Sequence, residues 1–438
     1  MKALRNLLSL LLAVVLGSGI VYAQPLHLAR TDIREKVRAS RMLAAGLDRT
    51  YDTTVKALTP APKGYKATYI SHYGRHGSRY AYTAKTYTLP LDMLREGAAA
   101  GNLTEYGQKL LGQLEAFWKE GQYKVGDLTP AGWRQHAWIA ANMVKSFPDA
   151  FKAGSRVEAC SSTSVRSIMS MSSCCASIAR EAPKASVYAH SGTLDIQATR
   201  PNMGKNPFAY TGPALPFPFA ESSEEYFLRK FPQYPEVLGR LFKDSSVCLG
   251  GRSVYDVFFY LYMLVAGMNS IPPEERLDLD PLLTDEEYAI LWETDNYERF
   301  REYYPYKTTC CSIVDDMVAK ADARLASGST GADLRFGHDH VLMSLLMIMD
   351  INGAGVIPAS AEDLVYHFST TDSPMATNIQ LVFYVPRSKK RGGQPLVKLL
   401  LNGEEARFGN LPTVQGPYYN WEDVRAYLRA RTDLFVNR

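Results

Sequence analysis

The chain has 438 residues, with 49 lysines and arginines against 45 acidic residues and a formal net charge of +4. That length holds two or three domains with a sizeable core. The charge leaves no broad basic field, which excludes nucleic acid as the expected partner and requires any anion site to be a local cluster.

The first 24 residues, MKALRNLLSLLLAVVLGSGIVYAQ, read as a secretory signal. Lys2 and Arg5 form a basic start, Leu7 to Val15 is apolar with one serine, and Val21-Tyr22-Ala23 before Gln24 resembles a cleavage site. The apolar run is short for a bilayer span and no stop-transfer run follows. The expectation is export, periplasmic or secreted, with 1–23 removed and no stable membrane insertion. No cysteine stands near the cleavage site to carry a lipid anchor.

A polar helical stretch follows over about Thr31 to Tyr51. YKATYI (Tyr65–Ile70) alternates like a short strand and leads into SHYGRHGSRY (Ser71–Tyr80). GNLTEYGQKLLGQLEAFWKEG (Gly101–Gly121) has helical periodicity. LTPAGWRQHAWIAANMVKSF (Leu128–Phe147) starts a helix with Thr129 as N-cap and Pro130 in the first position. Arg156–Arg180 reads as strand, turn and helix. This alternation predicts an α/β layer.

Over 195–331 proline and aromatics rise and strand signals fade, which predicts a mostly helical insert. YDVFFYLYMLVAGM (Tyr255–Met268) follows a capping-box-like Ser253/Asp256 and is too short to span a bilayer, so it reads as a buried helix. Thr284 and Glu287 form another capping box. The α/β texture returns in ADLRFGHDHVLMSLLMIMDI (Ala332–Ile351), NIQLVFYVPR (Asn378–Arg387) and PLVKLLLNG (Pro395–Gly403), with a hairpin turn at Asn402-Gly403. The expected organisation is an α/β domain over 24–194 and 332–438, interrupted by the helical insert at 195–331. Cys160, Cys174, Cys175, Cys248, Cys310 and Cys311 lack zinc-site spacing. In an exported chain, disulfides and free buried thiols are both open readings.

Three segments share one form, a strand running through a polar loop into a helix: Arg75–Arg79, Ser162–Arg166 and His338–Asp339. Such loops gather at the carboxyl edge of an open α/β sheet, where ligands bind. That would bring Arg75, Arg79 and Arg166 together with His76 and His338. Guanidiniums match the oxygens of a phosphoryl group by bidentate hydrogen bonds. Their charge also disfavours His⁺, keeping the His76 imidazole neutral and nucleophilic. Gly77 lets the backbone approach phosphate, and its carbonyl is placed to set the ring tautomer. Asp339 would give a proton to the leaving alkoxide and later activate water. His338 and His340 form a potential metal-ligand pair, but no third ligand stands at recognisable spacing, so no metal is expected. No G-x-S-x-G elbow supports a serine nucleophile. His72, His136, His190 and His367 read as structural or surface residues. A non-catalytic phosphate-ligand binding protein is the alternative to an enzyme, and the presence of both His76 and Asp339 argues against it.

RHGSRY, LTPAGWRQ, SSTSVRS and FGHDH occur in that order, followed by NIQLVFY and VKLLLNGEE. In these motifs the chain resembles the histidine acid phosphatases, the second branch of the histidine phosphatase superfamily, over nearly all of its mature length. The resemblance implies a phosphoglycerate mutase-like three-layer α/β domain with a mostly parallel central sheet and a helical inserted domain, the site lying between them. It implies His76 as phosphate acceptor, Asp339 as proton donor, and Arg75, Arg79, Arg166 and His338 as phosphate-binding residues. No metal or organic cofactor and no obligate protein partner are implied; the partner is a small phosphomonoester. RHGSRY with LWETDNY in the insert is also similar to the multiple inositol polyphosphate phosphatase and phytase-like subgroup, which makes inositol polyphosphates or sugar phosphates the expected substrates. Ala81 stands where the family often has proline, and His-Asp-His stands where that subgroup typically has His-Ala-Glu. The donor is then Asp339, as in the phytase and glucose-1-phosphatase types. His340 replaces a small polar residue and would either touch substrate or tune Asp339. Tyr80, Lys85 and His340 are the candidates for substrate specificity.

Overall fold

The computed structural model describes residues 30–202, 206–388 and 393–437. The signal at 1–23 and residues 389–392 of the SKKRGG turn lie outside them. Among the described residues the eight strands are β1 Tyr65–Arg75, β2 Arg156–Ser161, β3 Ser186–Ser191, β4 Gly331–Gly337, β5 Asn378–Pro386, β6 Leu396–Leu401, β7 Glu404–Glu405 and β8 Tyr418–Asn420. Their order is β3-β2-β4-β1-β5-β6-β7, with β8 on β6. The first four in that order run parallel; β5 through β8 add antiparallel pairs.

β1 is longer than its alternating start suggested. It runs through Ser71-His72-Tyr73-Gly74 to Arg75 and is buried from Ala67 onward. A strand covered on both faces has no solvent side to mark with polar residues. On one face Tyr69, Tyr73, Leu381 and Phe383 pack against helices Lys307–Ser327, Asp339–Ile348 and Trp421–Asp433. On the other, Ile70, Val157, Ala159 and Val382 pack against helices Pro130–Ser146 and Val165–Glu181. The result is a three-layer α/β fold.

A third apolar cluster is helical. It joins Tyr80–Leu114 to Phe227–Leu291, so the helices Lys85–Ala99 and Glu105–Gly121 pack with Val254–Gly267. The stretch 195–331 divides between clusters: its last helix, Lys307–Ser327, places Cys310, Ile313, Val314 and Met317 under the sheet. Thr284 closes a full capping box with Glu287, and Ser253 accepts from the Asp256 amide. Asn402 and Gly403 take φ of 55° and 78°, the left-handed pair that a tight β6–β7 turn requires. All six cysteines are buried and none is joined in a disulfide, the second of the two open readings. Five of them fill apolar clusters, where a thiol packs as a small hydrophobe. Among the described residues, no helix is long and apolar enough to cross a membrane.

Candidate active site

Parallel pairing in register brings three strand ends to one edge. Arg75 lies opposite Gly337, and Ser161 opposite Phe336. Beyond β1 the chain turns as His76–Tyr80. Beyond β2, Ser162–Ser164 lead into the helix carrying Arg166 in its first turn. Beyond β4, His338 is the N-cap and Asp339 the first residue of the next helix.

The His76 turn is clamped by the helix that begins at Pro130. The Gln135 side chain accepts from the Ser78 amide at 2.9 Å and donates to the Ser78 hydroxyl at 2.9 Å. Thr129 N–H donates to the Ser78 carbonyl at 2.8 Å. A Cβ on Gly77 would meet the Gly132 carbonyl oxygen at 2.5 Å, and one on Gly132 would meet the Ser78 carbonyl oxygen at 2.3 Å. Both glycines are there for close approach of backbone to backbone. The glycine and glutamine of LTPAGWRQ thus hold RHGSRY in place.

His76 Nδ1 is 3.0 Å from the Gly77 carbonyl. A carbonyl only accepts, so Nδ1 carries the proton and Nε2 keeps its lone pair. Burial, followed by Arg166, Arg75, Arg79 and His338, holds the imidazole pKa well below its ordinary value. The arginines reinforce neutrality, and loss of hydration is the larger cause. His338 is neutral for similar reasons: burial first, then Arg166 and His340. Arg166 lies 3.4 Å from its Nδ1 and the Ser162 hydroxyl 2.9 Å from its Nε2. An arginine only donates, so Nδ1 accepts and Nε2–H points at Ser162.

His76, Arg79, Arg166, His338, Asp339 and His340 all line one cavity of about 150 Å³. Arg75 does not line it. Its guanidinium is fully buried behind the wall, donating to the Leu47 and Ser373 carbonyls and to Asp339 Oδ2 at 3.0 Å. Burial pushes the Asp339 carboxyl up, but Arg75, His340 and His76 outweigh it and hold it well below the usual carboxylate range. The His340 amide donates to Asp339 Oδ1 at 2.8 Å, and the His340 ring stacks on His338 with centroids 5.5 Å apart. His340 therefore touches both Asp339 and the cavity.

Tyr80 and Lys85 are absent from the lining. Tyr80 donates to Glu275 at 2.8 Å within the helical layer. Lys85 pairs with Asp256 at 3.3 Å and lies over the Tyr260 ring. Sequence proximity to RHGSRY suggested them; the turn after Arg79 carries both away. In their place the cavity is lined by Asp48, Arg200, Asp295, Arg299 and Glu302. No local motif marks these, although the spacing of Asp295 and Arg299 at i,i+4 is a readable ion pair. Among the described residues, no group of three or more His, Cys, Asp or Glu is arranged to hold a metal ion.

No family model and no curated protein matches the chain. Solved structures do match. The Bifidobacterium longum multiple inositol polyphosphate phosphatase in complex with phosphate is 18% identical, with a TM-score of 0.73 over 90% of this chain and 98% of that one. The same protein with inositol hexasulfate gives 18% and 0.69, over 88% and 97%. The phytase from D. castellii gives 14% and 0.57, over 90% and 85%. The chain has the fold that these phosphatases share.

Proposed function

We propose that the chain is a phosphomonoesterase of the histidine acid phosphatase type, hydrolysing inositol polyphosphates or sugar phosphates through a phosphohistidine on His76, with Asp339 as general acid. The observation that carries this reading is the His76 tautomer: Nδ1–H is tied to Gly77, and Nε2 is left neutral in a cavity lined by Arg79 and Arg166. The B. longum protein binds phosphate and inositol hexasulfate, which makes inositol phosphates the first substrates to try.

Phosphate binding offsets the mutual repulsion of the arginines. Its negative charge also opposes ionisation of Asp339, so the carboxyl takes up its proton in the complex. The Nε2 lone pair forms the N–P bond as the P–O bond to the alcohol breaks. Asp339 protonates the departing oxygen. Arg79 and Arg166 stabilise the equatorial oxygens. Water then attacks phosphorus and gives its proton to the Asp339 carboxylate. The N–P electron pair returns to Nε2, freeing phosphate. No step calls on a metal or cofactor.

Release of phosphate from phenyl phosphate, compared between wild type and His76→Ala, tests the proposal. The variant is expected to lose essentially all turnover. No release by wild type between mildly acidic and neutral pH overturns the enzyme reading, and tight phosphate binding without turnover would favour a binding protein. Full activity in His76→Ala overturns the mechanism. Export is part of the proposal, and a mature N-terminus at Gln24, read by mass, checks it.

A further inference from the structure

The cavity has a second set of polar groups beside the phosphate-binding one. Four arginines line it: Arg79, Arg166, Arg200 and Arg299. Four carboxylates do so too: Asp48, Asp295, Glu302 and Asp339. Among the described residues the lining therefore has no excess of fixed positive charge. The balance is also uneven in space. Arg299 is consumed locally, donating Nε–H to Asp295 and Nη1–H to Glu302, both at 3.1 Å. There one guanidinium faces two carboxylates.

Asp48 is the informative member. It ends the short turn Gly46–Asp48 and is only 7% exposed. Its Oδ1 is buried with no hydrogen-bond partner. The nearest cation, Arg79 Nη2, is 3.7 Å away, beyond hydrogen-bond reach. A buried acceptor without a donor is costly to leave empty. Asp48 also lines the cavity, where its carboxylate can accept from a ligand. Nearby, burial pushes the Asp295 carboxyl up to about 6, with Arg299 opposing and Asp48, Glu298 and Glu302 adding to the rise. These carboxylates already crowd one another, and a second phosphate here would join that repulsion.

We propose that Asp48, on the same cavity lining as Asp295 and Glu302, receives hydroxyl groups of the leaving alcohol, so that the chain acts on monophosphates of neutral polyols and discriminates against inositol polyphosphates. This rests on the phosphatase reading above and narrows it. A hydroxyl donates to the Asp48 carboxylate at no cost in charge. A phosphate in the same place keeps a negative charge at any pH of the assay and meets like charge.

The test compares myo-inositol 1-phosphate, myo-inositol hexakisphosphate and phenyl phosphate on the whole protein. Wild type is expected to show kcat/KM at least about tenfold higher for the monophosphate than for the hexakisphosphate. Asp48→Asn is expected to lower kcat/KM for myo-inositol 1-phosphate about tenfold more than for phenyl phosphate, which has no hydroxyl to read. Asp295→Asn, a second variant should the first fail to fold, is expected to narrow the gap between mono- and hexakisphosphate. A hexakisphosphate rate equal to or above that of the monophosphate, in an enzyme that hydrolyses phenyl phosphate, overturns this inference and leaves the phosphatase reading standing. Equal loss on inositol and phenyl esters in Asp48→Asn overturns the role of Asp48. No hydrolysis of phenyl phosphate removes the phosphatase reading itself, and this one with it.

Discussion

At the scale of single residues, Asp339 and His76 are set to opposite purposes by the same neighbours. Arginine charge and burial both work against His⁺, so they add. At Asp339 they oppose each other, and charge wins. The site therefore holds a neutral imidazole beside an ionised carboxylate, and on the proposed mechanism the carboxylate becomes an acid only when a bound anion opposes its charge. This predicts a leaving-group signature. Asp339→Asn should slow hydrolysis of an alkyl phosphate by about 100- to 10,000-fold and that of a nitrophenyl phosphate far less, since a phenolate departs without a proton. Steady-state rates across esters of graded leaving-group pKa check it. Equal slowing for all esters would remove Asp339 from the acid's role. His340 belongs to the same scale. Its ring covers His338 and its amide fixes Asp339 Oδ1, so it orients the carboxyl from the side away from Arg75.

At the scale of elements, what was legible was local. RHGSRY, SSTSVRS and FGHDH each sit where a parallel strand hands over to a loop, and register places those ends together. Asp48 and Arg299 were not legible as site residues because they arrive by packing, one on an N-terminal turn and one on the helix Asp285–Tyr303. The helix Lys85–Ala99 was hidden by Pro90, a residue that ordinarily ends a helical pattern. Strand β3 is an edge with mostly exposed residues and shows no apolar alternation to read. LTPAGWRQ was legible as a helix start, but its reason is tertiary: Gly132 admits the His76 turn and Gln135 holds Ser78. Gly77→Ala tests that fit. The added methyl meets backbone, which cannot swing aside as a side chain can. A loss of about 1–3 kcal/mol in urea unfolding is expected, with kcat/KM for phenyl phosphate falling well beyond what the unfolded fraction explains. Wild-type activity in a stable Gly77→Ala would mean the turn has room to move.

At the scale of the whole molecule, several histidines are buried in their neutral form. Burial, with His136 and Arg335, pushes His72 down to about 3. Burial does the same to His136, to about 3. His76 and His338 are also held well below the ordinary value. In the unfolded chain each takes up a proton near pH 6.5. Above that pH both states are neutral and these groups contribute nothing. As pH falls below it, the unfolded state binds protons that the folded state refuses, so stability declines until the folded values are reached. Each such histidine adds a slope of about 1.4 kcal/mol per pH unit within that window. The fold thus weakens on the acid side, from about 6.5 down to about 3, while the same depression keeps the imidazole of His76, the proposed nucleophile, neutral there. Activity and stability should therefore separate in mild acid, with turnover persisting at pH values where the urea midpoint has already dropped. His136 allows a clean check, since burial outweighs the opposing effect of the Arg75 backbone on its ring and it does not line the cavity. His136→Gln cannot charge, so its unfolding free energy should fall less steeply between pH 6 and 4, by about 1.4 kcal/mol per unit relative to wild type. An unchanged slope would mean that His136 already carries its proton in the folded protein.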